Sequence, residues 1–230
     1  MPRIARVSIP GIPVHVTQRG NYRQNIFKEC IDKEFYMNSF LHYKKKFNVK
    51  LYAWCLMDNH VHFVLEPCDA EGLGRLFKSL NTRYSMYFNR KLQRKGRLFD
   101  DRFFSCLLDE SHFYEAIRYV ELNPYKAKME REFGEYVWNS SLEHLKIRSQ
   151  YYLNRKPDFF KVDNWKDYLV EGINSENISK KIEAHTMSGF PLGNKSFVEN
   201  VSEKLGKDLI KKKRGRPPKK CCHLIVDSIN

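Results

Sequence analysis

Two alternating runs joined by a turn restrict what this chain can fold into. Residues 49–56 (Val-Lys-Leu-Tyr-Ala-Trp-Cys-Leu) and 60–65 (His-Val-His-Phe-Val-Leu) read as strands, and Asp58-Asn59 between them supplies turn chemistry, so the pair makes a hairpin. Side chains alternate faces along a strand, so His60, His62 and Val64 point one way and Val61, Phe63 and Leu65 the other. The second set can be buried while two imidazoles stand side by side opposite, spaced to share one cation. The same spacing also suits solvated or merely hydrogen-bonded histidines on a polar face.

Flanking patterns extend the hairpin into a sheet. Residues 13–18 (Pro-Val-His-Val-Thr-Gln) form a β-branched first strand, closed by Arg19-Gly20-Asn21. A helix is expected over residues 27–47, with Ile31, Phe35, Phe40, Leu41 and Phe47 apolar and Lys44-Lys45-Lys46 suiting the C-terminal end of its dipole. A second, over residues 72–92, carries Leu73, Leu76, Phe77, Leu80, Tyr84 and Tyr87 at helical spacing, and residues 103–108 read as a fourth strand. Strand, helix, strand, strand, helix, strand is the ferredoxin-like order. The expected class is therefore α+β, an antiparallel sheet with helices on one face and the other face left for a site.

A further helix follows, with Ser111 as N-cap and Phe113, Ala116, Ile117 and Val120 as its core stripe. Beyond Pro124, Tyr136-Val137-Trp138-Asn139-Ser140-Ser141 reads as a docked turn opening a short helix through His144. Helices are expected near residues 164–173, 175–185 and 195–205. The organisation is thus a domain over 1–146, a C-terminal helical extension over 147–208 and a basic tail over 209–230. Within the tail, residues 211–220 (Lys-Lys-Lys-Arg-Gly-Arg-Pro-Pro-Lys-Lys) cannot bury a core.

Composition narrows the partners. With 42% hydrophobic and 14% aromatic residues the chain is globular, and no apolar run approaches a membrane span or follows Met1-Pro2-Arg3 as a signal segment. The expectation is a soluble, cytoplasmic protein without a membrane partner. Lys and Arg total 41 against 27 Asp and Glu, a formal charge of +14, which makes nucleic acid the leading partner class over a merely basic surface. The six cysteines show no Cys-x-x-Cys spacing and read as reduced thiols, with Cys55 and Cys106 inside strands as small hydrophobes.

The helix after the fourth strand carries Tyr119 and, one turn on, Asn123, on a flank off the core stripe. Pro124 biases Asn123 away from helical geometry, so Asn123 is expected to close the last turn. A phenol and an amide oxygen placed there could face the histidine pair and perform phosphodiester transfer. A divalent cation held by His60, His62 and the Asn123 oxygen would polarise a phosphate, and two nitrogens with one amide oxygen suit Mn²⁺ or Mg²⁺. The plainer alternatives are a boundary tyrosine and a C-capping asparagine. Arg19, Arg23, Arg97 and Arg102 could hold phosphates or be ordinary surface charges.

His60-Val61-His62 after Met57-Asp58-Asn59, with Tyr119-Val120-Glu121-Leu122-Asn123-Pro124, resembles the single-tyrosine HUH transposases (IS200-like), and within them the REP-associated tyrosine transposases. The resemblance extends to Val16-Thr17-Gln18-Arg19-Gly20, Gly96-Arg97-Leu98-Phe99 with Arg102-Phe103, and Trp138-Asn139-Ser140-Ser141. It implies a nuclease that cuts and rejoins hairpin-associated single-stranded DNA through a covalent 5′-phosphotyrosine. Tyr119 would be the nucleophile, and His60, His62 and Asn123 the ligands of Mg²⁺ or Mn²⁺. Insertion-sequence relatives carry glutamine where this chain has the shorter Asn123; they are dimers, whereas the REP-associated branch includes monomers, so both a monomer and a homodimer stay open. In the tail, Arg214-Gly215-Arg216-Pro217 resembles an AT-hook that would lay arginines in a narrow minor groove. Two other readings compete with strand transfer: a hairpin-binding protein that does not cut, and a metal hydrolase that uses water while the tyrosine is structural.

Overall fold

Hydrophobic alternation and turn placement produce one antiparallel sheet from β1 (Val14–Arg19), β2 (Val49–Met57), β3 (His60–Pro67) and β4 (Phe104–Leu107). The structure, a computed structural model, describes residues 7–147, 152–154 and 164–209. Strand order is β2-β3-β1-β4, the ferredoxin-like arrangement. The central pair sets the register that matters here: Arg19 lies opposite His60, Thr17 opposite His62 and His15 opposite Val64. The tail, with Arg214, Gly215, Arg216 and Pro217, lies outside the described residues, as do Cys221 and Cys222.

Val14, Val16, Val61, Phe63 and Leu65 point to one face, where α1 (Cys30–Lys46) and α2 (Gly72–Lys91) cover them. Phe40 stacks on Phe63 with ring centroids 4.4 Å apart, and Leu73, Leu76, Phe77, Leu80 and Tyr84 are buried as their spacing predicts. The first helix starts later than expected, at Cys30 behind a Glu29–Asp32 capping box. Ile31 therefore falls in the first turn facing solvent, and Tyr36 and Met37 fill the core beside Phe40.

The opposite face is roofed over part of its area by α3 (Glu110–Lys126), which buries Phe113, Ala116, Ile117 and Val120 completely. Two local expectations about α3 change. Its N-cap is Asp109, whose carboxylate accepts from the His112 N–H at 2.9 Å, while Ser111 sits inside the first turn and donates its hydroxyl to Asp109. Pro124 does not end the helix either. The Asn123 Nδ2 donates back to the Tyr119 carbonyl at 2.7 Å and reaches that of Val120 at 3.5 Å, the carbonyl that Pro124 cannot serve.

Later elements lock onto this core. Trp138 and Ser140 pair with the outer edge of β2 (Leu56 N to Trp138 O, Ser140 N to Trp54 O, both 3.0 Å), and α4 (Ser141–His144) follows. From α5 (Trp165–Gly172) the Trp165 Nε1 donates to Glu121 on α3 at 2.7 Å. Next, α6 (Glu176–Ser188) crosses β4 and β1, and Leu192 after it bridges to Leu108. Finally α7 (Lys195–Leu205) buries Val201 in the first core. The β2 edge is thereby covered, and on the far side the Leu192 N–H bonds the Leu107 carbonyl at the end of β4 at 2.8 Å, which blunts edge-to-edge pairing at both places. Among the described residues Cys30, Cys55, Cys68 and Cys106 are free thiols, and no helix is long and apolar enough to cross a membrane.

Candidate active site

The alternation of β1 and β3 places His15, Thr17 and Arg19 beside His60 and His62 on the face under α3 and α6. These side chains line a cleft of about 400 Å³ together with Arg23, Asn59, Tyr119, Asn123, Glu183 and Thr186. Tyr119 meets the imidazoles edge-on, its ring centroid 5.5 Å from those of both His62 and His15. The His60 and His62 rings are 4.8 Å apart. Elements far apart in sequence thus converge: the hairpin brings the histidines, α3 the phenol and amide, and α6 the roof.

Each imidazole is held by its Nδ1. His60 Nδ1 lies 2.6 Å from Asn59 Oδ1, and His62 Nδ1 lies 3.1 Å from His15 Nε2. Burial, followed by the Arg19 charge, pushes His60 down to about 4, and burial alone takes His15 down to about 3. Burial, then the neighbouring His60 and His15, holds His62 well below its ordinary value. The pair is therefore neutral at pH 7, with lone pairs available for a cation.

Among the described residues no group of three His, Cys, Asp or Glu side chains could hold a metal ion. Asn123 lines the same cleft as the two imidazoles, and its Nδ2 is spent on the helix carbonyls, which leaves Oδ1 as its acceptor atom. Two neutral imidazoles and an amide oxygen fit a divalent cation of intermediate hardness. The Tyr119 phenol is raised above its ordinary value by burial and by Glu183, with the Asn123 side chain opposing. It rests here as the neutral phenol.

Of the arginines, Arg19 and Arg23 reach the cleft. Arg19 is paired with Asp100 at 3.0 Å and lies over the Phe104 ring, while Arg23 sits on a short loop with Tyr22, both with positive φ (57° and 51°). Gly20 opens that loop because a Cβ there would meet the Gln24 carbonyl oxygen at 2.2 Å. Tyr22, next to the cleft-lining Arg23, is 94% exposed. Arg97 and Arg102 are exposed and do not line the cleft; the Arg97 and Leu98 carbonyls instead brace the Arg23 loop through Gln24 and Asn21.

The larger groove between α1 and α2, about 910 Å³, contains no imidazole, thiol or carboxylate in its lining, so size does not locate the chemistry. Sequence reasoning missed His15, Thr186 and Glu183. His15 had a signal, since it shares a strand face with Thr17 and Arg19, but its neighbour on β3 depended on register. Thr186 and Glu183 had none.

The family described as "Transposase IS200 like" matches residues 8–123. A search of curated proteins returned no match. The solved structure of a REP-associated tyrosine transposase bound to a REP hairpin is similar in fold, with a TM-score of 0.51 and 16% identity, over 71% of this chain and 96% of that one. A candidate transposase from Deinococcus radiodurans R1 aligns at a TM-score of 0.37 and 14% identity, over 52% of this chain and 95% of its own.

Proposed function

Because the chain belongs to the IS200-like transposase family, whose enzymes cut and move DNA, we propose that it cleaves a single strand through Tyr119. The supporting observation is the edge-on packing of the Tyr119 ring against His62 in a cleft that also holds His60, Asn123, Arg19 and Arg23. In this reading the Tyr119 oxygen attacks a backbone phosphorus and the bond from phosphorus to the 3′ oxygen breaks. The phenol proton ends on that 3′ oxygen, which leaves a 5′-phosphotyrosine and a free 3′-hydroxyl. The 3′-hydroxyl of another end can reverse the step, and the strand is rejoined without an external energy source.

His60, His62 and Asn123 would hold Mg²⁺ or Mn²⁺, which supplies positive charge to a phosphate oxygen and offsets the charge that builds up in transfer. Arg19 and Arg23 orient the backbone by pairing with phosphates, Arg19 exchanging Asp100 for DNA. Tyr22 offers a ring face on which an unpaired base can stack. Burial of the phenol keeps it protonated until substrate and cation are in place, which restrains cleavage of the wrong bond. Hairpin-bearing DNA is the substrate we favour, since the structural neighbour that spans most of this chain binds a REP hairpin. The catalytic unit is residues 1–146, the extension 147–208 buttresses it, and the tail 209–230 adds phosphate contacts.

The test is covalent attachment. Wild-type protein with labelled single-stranded hairpin DNA and Mn²⁺ should yield an adduct that survives denaturing electrophoresis, and Tyr119→Phe should yield none. An adduct persisting in Tyr119→Phe would remove Tyr119 from its role. Tight binding of intact oligonucleotide across metals and hairpins would favour the non-cutting reading. Cleavage that survives Tyr119→Phe without an adduct, yet is lost in His60→Ala, would favour water as nucleophile.

A further inference from the structure

Proton counting along one hydrogen-bond chain leaves two settings for the hydrogen of His62, set by where the Thr186 hydroxyl points. Thr186 lies on α6 with its hydroxyl 2.7 Å from the Ile182 carbonyl one turn earlier. A carbonyl only accepts, so the single hydroxyl hydrogen is committed there. His15 Nδ1 is 2.7 Å from the same hydroxyl oxygen, which can now only accept, so His15 carries its hydrogen on Nδ1. The buried Cys106 thiol, 3.2 Å away, likewise donates to it. A neutral imidazole has one N–H, so His15 Nε2 is a bare lone pair. It faces His62 Nδ1 at 3.1 Å, which must then donate. His62 Nε2 is left bare.

His60 reaches the same state by a shorter route. Its Nδ1 faces the Asn59 side-chain oxygen at 2.6 Å, an orientation supported by the Asn59 amide nitrogen, which donates to the Arg23 carbonyl at 3.4 Å. His60 and His62 therefore both present Nε2 as the available donor atom. The chain through Thr186 has only one other setting. If the hydroxyl turned to His15, His15 would carry hydrogen on Nε2 and donate to His62, whose own hydrogen would move to Nε2. His62 could then bind no cation through that atom.

We propose that Thr186 and His15 form a positioning relay that holds His62 as the Nδ1–H tautomer, so that α6 of the C-terminal extension sets the ligand face of the active site. Both residues act through His62, Thr186 by way of His15. Outer partners of this kind change metal affinity by about 10- to 100-fold when removed. The proposal rests on His62 being a ligand, as argued above, but its tautomer can be read without any metal.

The experiment uses the full chain, ¹⁵N-labelled and metal-free, with long-range ¹H–¹⁵N correlation of the histidine side chains. His15, His60 and His62 should all appear as Nδ1–H tautomers. Thr186→Val, which keeps the shape and removes the hydroxyl, should let His62 populate the Nε2–H form and weaken Mn²⁺ binding, followed by the EPR signal of free Mn²⁺, by about 10- to 100-fold. Thr186→Ser, which keeps the hydroxyl, should preserve both. An Nε2–H His62 in wild type overturns the proposal, and that spectrum decides even if Thr186→Val fails to fold. So does a Thr186→Val protein with wild-type tautomers and affinity, or a Thr186→Ser protein as weak as Thr186→Val. If the tautomers are as stated but wild type binds no Mn²⁺, the ligand assignment of the proposed function fails and the relay stands.

Discussion

Removing the Glu121 carboxylate should be among the most damaging single changes outside the cleft. Glu121 is fully buried on α3 and accepts three side-chain hydrogen bonds: from Ser140 Oγ at 2.6 Å, His144 Nδ1 at 2.5 Å and Trp165 Nε1 at 2.7 Å. Its backbone carbonyl takes a fourth, from Asn139 Nδ2 at 2.8 Å. These bonds join α3, α4, α5 and the segment on the β2 edge. Glu121→Ala leaves three buried donors without a partner, and losing one side of such a cluster costs about 3–5 kcal/mol. For a domain of this size that lowers the melting temperature by about 6–20 °C. Glu121→Gln is the graded control. Its best orientation keeps the oxygen on Ser140 and His144 and turns the amide N–H₂ against the Trp165 N–H, so one bond is lost, at about 1–3 kcal/mol. Urea titration followed by tryptophan fluorescence measures both, with an unchanged slope confirming that stability alone moved. A Glu121→Ala shift under about 1 kcal/mol, or a Glu121→Gln protein as unstable as Glu121→Ala, would refute the reasoning.

Two other outcomes follow from the same physics. The Asp109 carboxyl is raised by burial, but hydrogen bonds from the His112 side chain and N–H, the Asn194 N–H and the Ser111 hydroxyl outweigh this and hold it at about 2. Its folded value lies below its unfolded one, so its stabilising contribution is complete above about pH 4 and disappears as pH falls towards 2. Asp109→Asn should flatten the acid limb of a stability–pH curve over that window; an unaltered limb would show that other carboxylates carry it. Deleting residues 211–220 should weaken DNA binding and reduce its dependence on salt, because phosphate contacts made by that run are lost with their released counterions. A binding isotherm series with the same salt slope as the full chain would show that the run does not touch DNA.

Local chemistry made much of this molecule readable. Alternation in residues 49–65 specified the hairpin and the shared face of His60 and His62, and 3.6-residue spacing specified the buried stripe of α3 and the flank that carries Tyr119. These are properties of neighbours a few residues apart, so period and turn type suffice. The start of α1 and the passage of α3 through Pro124 escaped notice because side chains, Asp32 and Asn123, compensated the backbone in ways that propensity does not encode. The motif Trp138-Asn139-Ser140-Ser141 and the residue Glu121 stood in plain view, yet their mutual bonds belong to a meeting of α3 with the β2 edge. Distance in the chain is the reason Thr186 and Glu183 were invisible as site residues and the strand face of His15 did not reveal its partners: His15 and Thr186 are 171 positions apart and touch at 2.7 Å only once α6 has packed across β1 and β4. Periodicity fixes which way a side chain faces; which other side chain it faces is a matter of packing between elements, and no local pattern records it.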